Sequence, residues 1–176
     1  MYRFVAFLRG INVGGHIVFK ETLIELFNSL GFQNSSTFKQ SGNIIFETPD
    51  KDTTALTSKI QAKLKITLGY DVPVFLRTID QLKSILNSKP FDNQKAIDSS
   101  FLITFIDTPK KFLYSLPMTI PKSTAEIIKA QGLEVFSITH GRGEGALPNP
   151  FIEKALKVKA TTRNLNVIKD IAKKFS

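Results

Sequence analysis

The residues best suited to chemistry lie in one glycine-rich segment near the N-terminus, Arg9-Gly-Ile-Asn-Val-Gly-Gly-His16. Arginine can form two parallel hydrogen bonds to a phosphate or carboxylate, and glycine lets a ligand approach the backbone closely. The N–H groups of such a loop can surround an anion, especially where the loop leads into a helix. We therefore predict an anion-binding loop formed by Arg9, Asn12, Gly14, Gly15 and His16. The alternative is a tight turn in which Asn12 bonds locally and Arg9 pairs with a carboxylate.

Two further segments add candidate ligand-binding residues, Ser41 and Asn43 in the first and Arg163 and Asn164 in the second. The first segment is also typical of a hairpin turn, because serine, glycine and asparagine favour turns. In the second, we expect the preceding threonines to begin a helix, whose N–H groups and dipole attract an anion. Capping by threonine alone explains the same residues. If the three segments converge, they form one binding site.

A catalytic role is an alternative for the same loop, because His16 could act as a general acid or base near neutral pH. A histidine beside glycines can equally be a hydrogen-bonding loop residue, and no nucleophile is paired with it in the sequence. His140, Arg142 and Glu144 border a second glycine-rich segment, which could be a lid or a solvated loop. The first loop matches neither the dinucleotide-binding fingerprint nor the Walker A motif.

The charge and the missing cysteines limit the partners and cofactors of this protein. The net charge of +9 over 176 residues favours an anionic small molecule or a nucleic acid as partner. Scattered lysines can also serve solubility alone, and lysine supplies most of the basic residues. The absence of cysteine excludes disulfides and thiolate catalysis. With two histidines and no His-Glu-x-x-His motif, we expect no metal and no cofactor.

Hydropathy predicts a cytoplasmic protein without membrane association. No apolar run reaches the roughly 18 residues that cross a bilayer. The apolar stretch from Phe4 runs directly into Arg9 and not into a signal-peptide cleavage site. The sequence is compatible with either a monomer or a homodimer.

The first half of the chain, residues 1–78, has the periodicity of a ferredoxin-like plait. Apolar residues on both faces of Tyr2 to Arg9 predict a central strand, and helical spacing follows the loop and again follows Asp52. Further strands are predicted at residues 32–39, 43–48 and 72–77, with a turn at residues 40–42. The order strand, helix, strand, strand, helix, strand is that of the plait.

The second half, residues 79–176, repeats most of this order. We predict a helix beginning with a capping box of Thr78 and Gln81, a buried strand at residues 101–106, and a short helix between Thr108 and Pro117. A hairpin at residues 125–139 and two C-terminal helices, from Asn149 and from Thr161 or Thr162, follow. The predicted fold class is α+β, with two ferredoxin-like halves, antiparallel sheets and C-terminal helices.

Three motifs taken together give the chain a family resemblance. In order and spacing, residues 9–16, residues 40–46 (Gln-Ser-Gly-Asn-Ile-Ile-Phe) and residues 162–166 (Thr-Arg-Asn-Leu-Asn) resemble the bacterial domain-of-unknown-function family 1697. The resemblance covers essentially the whole chain. It implies a two-part alpha/beta-plait protein of bacterial origin whose activity is not established. Phe38 and Leu165 stand where the family usually has tyrosine and tryptophan, so bulk is kept and a polar group is lost.

From these patterns we predict a protein that binds a phosphate-bearing or other anionic ligand, such as a nucleotide or a nucleic-acid backbone. Two alternatives stay open. The same site could belong to an enzyme that uses His16 as an acid or base. The motifs could instead serve an interaction module without a small ligand, in which they pack two halves or two protomers together.

Overall fold

The structure, a computed structural model, describes residues 1–12, 14–15, 17–94, 98–141 and 147–176, without the side chains of Gln40 and Ser41. Within these residues the chain forms two antiparallel sheets and five helices. The predicted mixture of helices and antiparallel sheets is confirmed. The chain divides into two compact units, Met1–Leu82 and Lys83–Ser176.

The first unit contains one four-stranded sheet and two helices that cover it. Its elements are β1 (Tyr2–Leu8), α1 (Lys20–Ser29), β2 (Gln33–Phe38), β3 (Gln40–Thr48), α2 (Thr53–Leu68) and β4 (Val74–Thr78). The strands lie in the order β2-β3-β1-β4, and every neighbouring pair is antiparallel. Side chains of β1, β3, α1 and α2 share one core, in which Phe27 and Phe46 contact each other edge to face at 5.3 Å between ring centres.

The central position of β1 follows from its composition. Residues on both faces of the strand are buried, with Val5 and Phe7 on one face and Phe4 and Ala6 on the other. A strand with apolar residues at consecutive positions must be covered on both sides, because either exposed face would leave apolar surface in water. The prediction of a central, doubly covered strand is confirmed.

The second unit contains a five-stranded sheet. Helix α3 (Ile79–Asn87) spans the boundary, and the later elements are β5 (Ser99–Ile106), β6 (Met118–Thr119), β7 (Ala125–Gln131), β8 (Glu134–His140), α4 (Asn149–Leu156), β9 (Ala160–Asn164) and α5 (Leu165–Lys174). The strand order is β6-β7-β8-β5-β9, again with antiparallel neighbours. Without β6, the order of β7, β8, β5 and β9 repeats the order of β2, β3, β1 and β4.

Local capping signals in the sequence set the ends of two helices. The side chain of Asp52 accepts hydrogen bonds from two N–H groups in the first turn of α2, and Gly69 ends that helix at a φ of +83°. At α3, Thr78 and Gln81 form the predicted capping box. The Thr78 N–H donates to the Gln81 side chain at 2.8 Å, and the Gln81 N–H donates to Thr78 Oγ1 at 3.1 Å.

Two local predictions are wrong. The connection between β2 and β3 lies at Lys39, which has a φ of +57°, so residues 40–42 belong to β3 and not to a turn. The helix predicted between Thr108 and Pro117 is absent, and this segment is irregular. Its aromatic side chains pack on one another and on α4, with Tyr114 at 6.0 Å from Phe151. Such contacts outweigh helix formation in a short segment, because an isolated short helix is only marginally stable.

Candidate functional site

The glycine-rich loop joins β1 to α1 and is fixed to the rest of the first unit at several points. The Arg9 N–H donates to the carbonyl of Pro73 at 3.0 Å, and the Tyr70 hydroxyl donates to the carbonyl of Ile11 at 3.2 Å. Inside the loop, Val18 N–H donates to Asn12 Oδ1 at 2.7 Å. Ile11 and Val18 are both buried in the core of this unit. These contacts hold residues 9–12 and Val18 in place, and Asn12 makes the local bond that the turn interpretation predicts.

Gly14 and Gly15 form the outer part of this loop. Their φ angles are +66° and +84°, in the left-handed region that favours glycine. Apart from the adjoining residues of the chain, no described atom lies within 4 Å of the position that a Cβ would occupy at either residue. The backbone here is open on the side where a side chain would stand, and a ligand can approach it.

The loop leads directly into the N-terminus of α1. The residue at the cap position is Phe19, whose side chain makes no capping hydrogen bond. The N–H groups of a first helical turn carry partial positive charge, and here no cap side chain engages them. Lys20 adds an exposed cation that contacts Glu21 at 3.6 Å. Ile17 and Phe19 beside the loop are apolar and yet 76% and 68% exposed.

The segment containing Ser41 and Asn43 lies at the loop end of β1. The antiparallel register pairs Asn43 with Phe7, so the beginning of β3 is next to the end of β1. Asn43 is only 3% exposed, and its side-chain amide donates to the carbonyl of Phe38 at 3.2 Å. This bond closes the connection between β2 and β3. Ser41 occupies a position in β3, and its side chain lies outside the described part of the chain.

Arg163 and Asn164 belong to the second compact unit, whereas the glycine-rich loop belongs to the first. The expected helix start at Thr161 or Thr162 is wrong, because both threonines lie in β9. Their β-branched side chains favour a strand, and Thr162 Oγ1 lies 2.8 Å from Thr104 Oγ1 on β5. Helix α5 begins instead after Asn164, whose side chain accepts a hydrogen bond from the Asn166 N–H at 2.9 Å.

The Arg163 guanidinium is held by neighbours on its own strand. It donates to Thr161 Oγ1 at 2.8 Å and to the carbonyl of Thr162 at 2.9 Å. Burial lowers the pKa of Arg163 to about 10, because the charged form loses hydration. Arg163 therefore stays protonated at neutral pH, and Asn164 caps a helix. The convergence of these residues with the glycine-rich loop stays a prediction.

The acid–base and lid predictions fall mainly on residues that the structure does not describe, namely His16, Arg142 and Glu144. His140 is described and ends β8. In the described ranges, no three side chains of His, Asp or Glu form a group that could hold a metal ion. None of the helices in the same ranges is long and apolar enough to cross a membrane. Sequence reasoning missed the loop supports at Tyr70 and Pro73, because neither pattern nor spacing links them to a loop about 60 residues earlier.

Comparison with known proteins adds a family and a fold. The family model described as "Protein of unknown function (DUF1697)" matches residues 1–136, which confirms the resemblance predicted from the motifs. No curated protein matches the chain. Among solved structures, the chain is similar to a conserved bacterial protein from Streptococcus pneumoniae, with 19% sequence identity and a TM-score of 0.69 over 98% of this chain and 97% of that chain. At this identity, the likeness shows a common fold.

Proposed function

The chain belongs to the DUF1697 family of proteins of unknown function, and we propose that it binds a phosphate-bearing or other anionic ligand at the loop of residues 9–16. A nucleotide or a nucleic-acid backbone is the ligand class that fits this chemistry. The observation that carries the proposal is the open backbone at Gly14 and Gly15, on a loop fixed at both ends. Residues that are already held by such bonds lose little conformational entropy when a ligand binds.

The hydrogen bonds of the loop favour a ligand that accepts hydrogen bonds. Two acceptors of the loop, the carbonyl of Ile11 and Asn12 Oδ1, are already engaged by donors from the protein. The cap residue of the following helix makes no side-chain hydrogen bond, so the first N–H groups of α1 are further donors close to the loop in sequence. Arg9 at the base of the loop and Lys20 at the start of α1 supply positive charge. Donors and positive charge together suit phosphate or carboxylate.

A comparison of two arginine variants tests this proposal. Arg9→Ala and Arg3→Ala both lower the net charge from +9 to +8, but only Arg9 is in the loop. Thermal shifts with nucleotides, sugar phosphates and short RNA, at low and moderate salt, identify a ligand, and titration gives its affinity. We expect Arg9→Ala to weaken binding by about 1 to 3 kcal/mol, or roughly 5- to 150-fold, as for a charged hydrogen bond. An equal loss of affinity in both variants would mean that only the diffuse electrostatic field of the protein attracts the ligand.

A pair of glycine variants separates ligand approach from backbone strain. Gly15 and Gly69 have nearly equal φ angles, +84° and +83°, and both have open space where a Cβ would lie. Alanine therefore costs a similar amount of stability at either position, about 1 kcal/mol. Only Gly15→Ala should reduce affinity, because its methyl group occupies the side of the loop that faces the ligand. If both variants bind as tightly as the wild type, the ligand lies elsewhere.

The interaction module stays a second candidate, because Ile17 and Phe19 expose apolar side chains beside the same loop. Large exposed apolar side chains that lie together are typical of protein-binding surfaces. The ligand screen separates the two functions. A stabilisation that survives moderate salt and depends on Arg9 supports the anion site, whereas the absence of any stabilising anion favours a protein partner.

We also propose that both units are ferredoxin-like. The antiparallel order β2-β3-β1-β4, with α1 and α2 on one face, supports this assignment for the first unit. The equivalent order β7-β8-β5-β9 supports it for the second, in which an irregular segment and β6 stand between β5 and β7 in place of a helix.

A further inference from the structure

Three side chains on neighbouring strands of the second unit lie in a row, joined by one hydrogen bond and one longer ion-pair contact. Ser99 Oγ lies 3.0 Å from His140 Nδ1, and His140 Nε2 lies 3.5 Å from Glu126 Oε2. The residues come from β5, β8 and β7, so the histidine stands between the hydroxyl and the carboxylate. A hydroxyl, an imidazole and a carboxylate in this order are the groups of a serine nucleophile with its base.

The sheet register explains why these side chains meet. Ser99 pairs directly with His140, and Glu126 pairs with Ile138, two residues before His140 on the same strand. Residues two apart on a strand lie on one face, so all three side chains share a face of the sheet. The backbone N–H of His140 also donates to the carbonyl of Thr124 at 3.2 Å. This bond holds the end of β8 against the chain leading into β7.

The tautomer of His140 that carries its proton on Nε2 allows proton transfer from Ser99. Glu126 can accept a hydrogen bond from the protonated Nε2 of His140, which leaves Nδ1 with a lone pair. Nδ1 can then accept the proton of the Ser99 hydroxyl. Glu126 is 31% exposed at its side chain and His140 is 53% exposed, so a substrate in solution can reach the row.

We propose that Ser99 is a nucleophile that accepts acyl groups from activated esters, with His140 as its general base and Glu126 as a positioning residue. Ser99 Oγ attacks the ester carbonyl and forms a C–O bond, while its proton passes to His140 Nδ1. The bond to the leaving oxygen then breaks, and that oxygen takes the proton. Water, deprotonated by His140, hydrolyses the acyl-serine in a second step and regenerates the hydroxyl.

The surroundings define the substrate class. Gly141 follows His140, and its N–H donates to the carbonyl of Asp98 at 2.9 Å, so this backbone group stabilises the strand ends. Esters with good leaving groups need the least stabilisation of the developing oxyanion, so activated esters are the substrate class that we assign to this row. Phe101 lies two residues after Ser99 on the same face and is half-buried, so an apolar side chain adjoins the hydroxyl.

Acetylation by 4-nitrophenyl acetate tests the proposal on the full chain. Absorbance measures the released nitrophenolate, and peptide mass spectrometry locates the acetyl group. We expect one acetyl group on Ser99 in the wild type and none there in Ser99→Ala. His140→Gln should lower the rate of serine acylation at least tenfold, since a general base typically contributes a factor of about 10² to 10⁴.

Ser100→Ala is the matched control, because Ser100 is the next residue on β5, is exposed, and points to the opposite face. It should acylate like the wild type. Glu126→Gln keeps an oxygen acceptor and should retain more activity than Glu126→Leu, and circular dichroism checks that all variants fold. Acetylation found only on lysines, or an unchanged rate in His140→Gln, would overturn the proposal.

Discussion

The hydrogen bond between Asn12 and Val18 is the structural support of the proposed anion site, and Asn12→Ala should remove it. The bond is short, 2.7 Å, and its donor belongs to a residue that is 8% exposed and packs in the core. A neutral hydrogen bond contributes about 1 kcal/mol, and a buried donor left without an acceptor costs about 1 to 3 kcal/mol. Because Asn12 is exposed and the bond is only partly buried, water can replace the lost acceptor, and we expect the free energy of unfolding to fall by about 1 kcal/mol.

Asn12→Asp separates stability from function at the same position. The carboxylate keeps an oxygen acceptor for Val18 N–H, so the free energy of unfolding should stay within about 0.5 kcal/mol of the wild type. The new negative charge repels an anionic ligand, and we expect affinity to fall at least tenfold, or by about 1.4 kcal/mol. Urea unfolding followed by circular dichroism and ligand titration measure the two quantities.

Two results would refute this reasoning. If Asn12→Ala unfolds with the wild-type free energy, the bond does not hold the loop in solution. If Asn12→Asp is stable and binds the anion as tightly as the wild type, the ligand does not contact this loop.

The remaining predictions concern pH and capping. Hydrogen bonds from Asn34 and Arg3 hold the pKa of Glu47 below its ordinary value. Glu47 therefore stabilises the native state fully at pH values above the ordinary pKa of a glutamate. This contribution is lost as the pH falls through the lower pKa that Glu47 has in the native state. An NMR titration should show this lowered pKa, and Glu47→Gln should lose less stability on acidification; identical acid curves for both proteins would contradict the assignment. Thr78→Ala removes half of the capping box with Gln81 and should lower the free energy of unfolding by about 1 kcal/mol in urea titrations. Thr78→Ser keeps the hydroxyl and should not lower it. Equal losses of stability in the two variants would argue against capping.

Sequence patterns predicted most elements of the fold because these elements depend on neighbouring residues. Asp52 and Gly69 mark the two ends of α2, and the doubly apolar pattern of β1 predicts its central position. Patterns failed where distant contacts decide the conformation. The segment between Thr108 and Pro117 packs its aromatic side chains on α4, and the threonines before Arg163 pair with β5. In both places tertiary contacts outweigh the local preference.

For the candidate site too, the sequence predicted one part and the structure supplied the other. Glycines and an arginine in sequence order predicted the loop, and the structure added its supports at Tyr70 and Pro73. Asn43 is buried, and its side chain donates a hydrogen bond to the carbonyl of Phe38, which precedes β3. A single sequence cannot distinguish this role from ligand binding.

The sequence by itself determined the family, the caps of α2 and α3 and the alternation that builds two antiparallel sheets, because each of these depends on residue types over a few consecutive positions. The tertiary structure decided which distant residues meet. Ser99, Glu126 and His140 are separated by 27 and 14 residues along the chain, and they contact one another only through the register of β5, β8 and β7. A register is a property of paired strands, and a shift of one residue would move these side chains to opposite faces of the sheet.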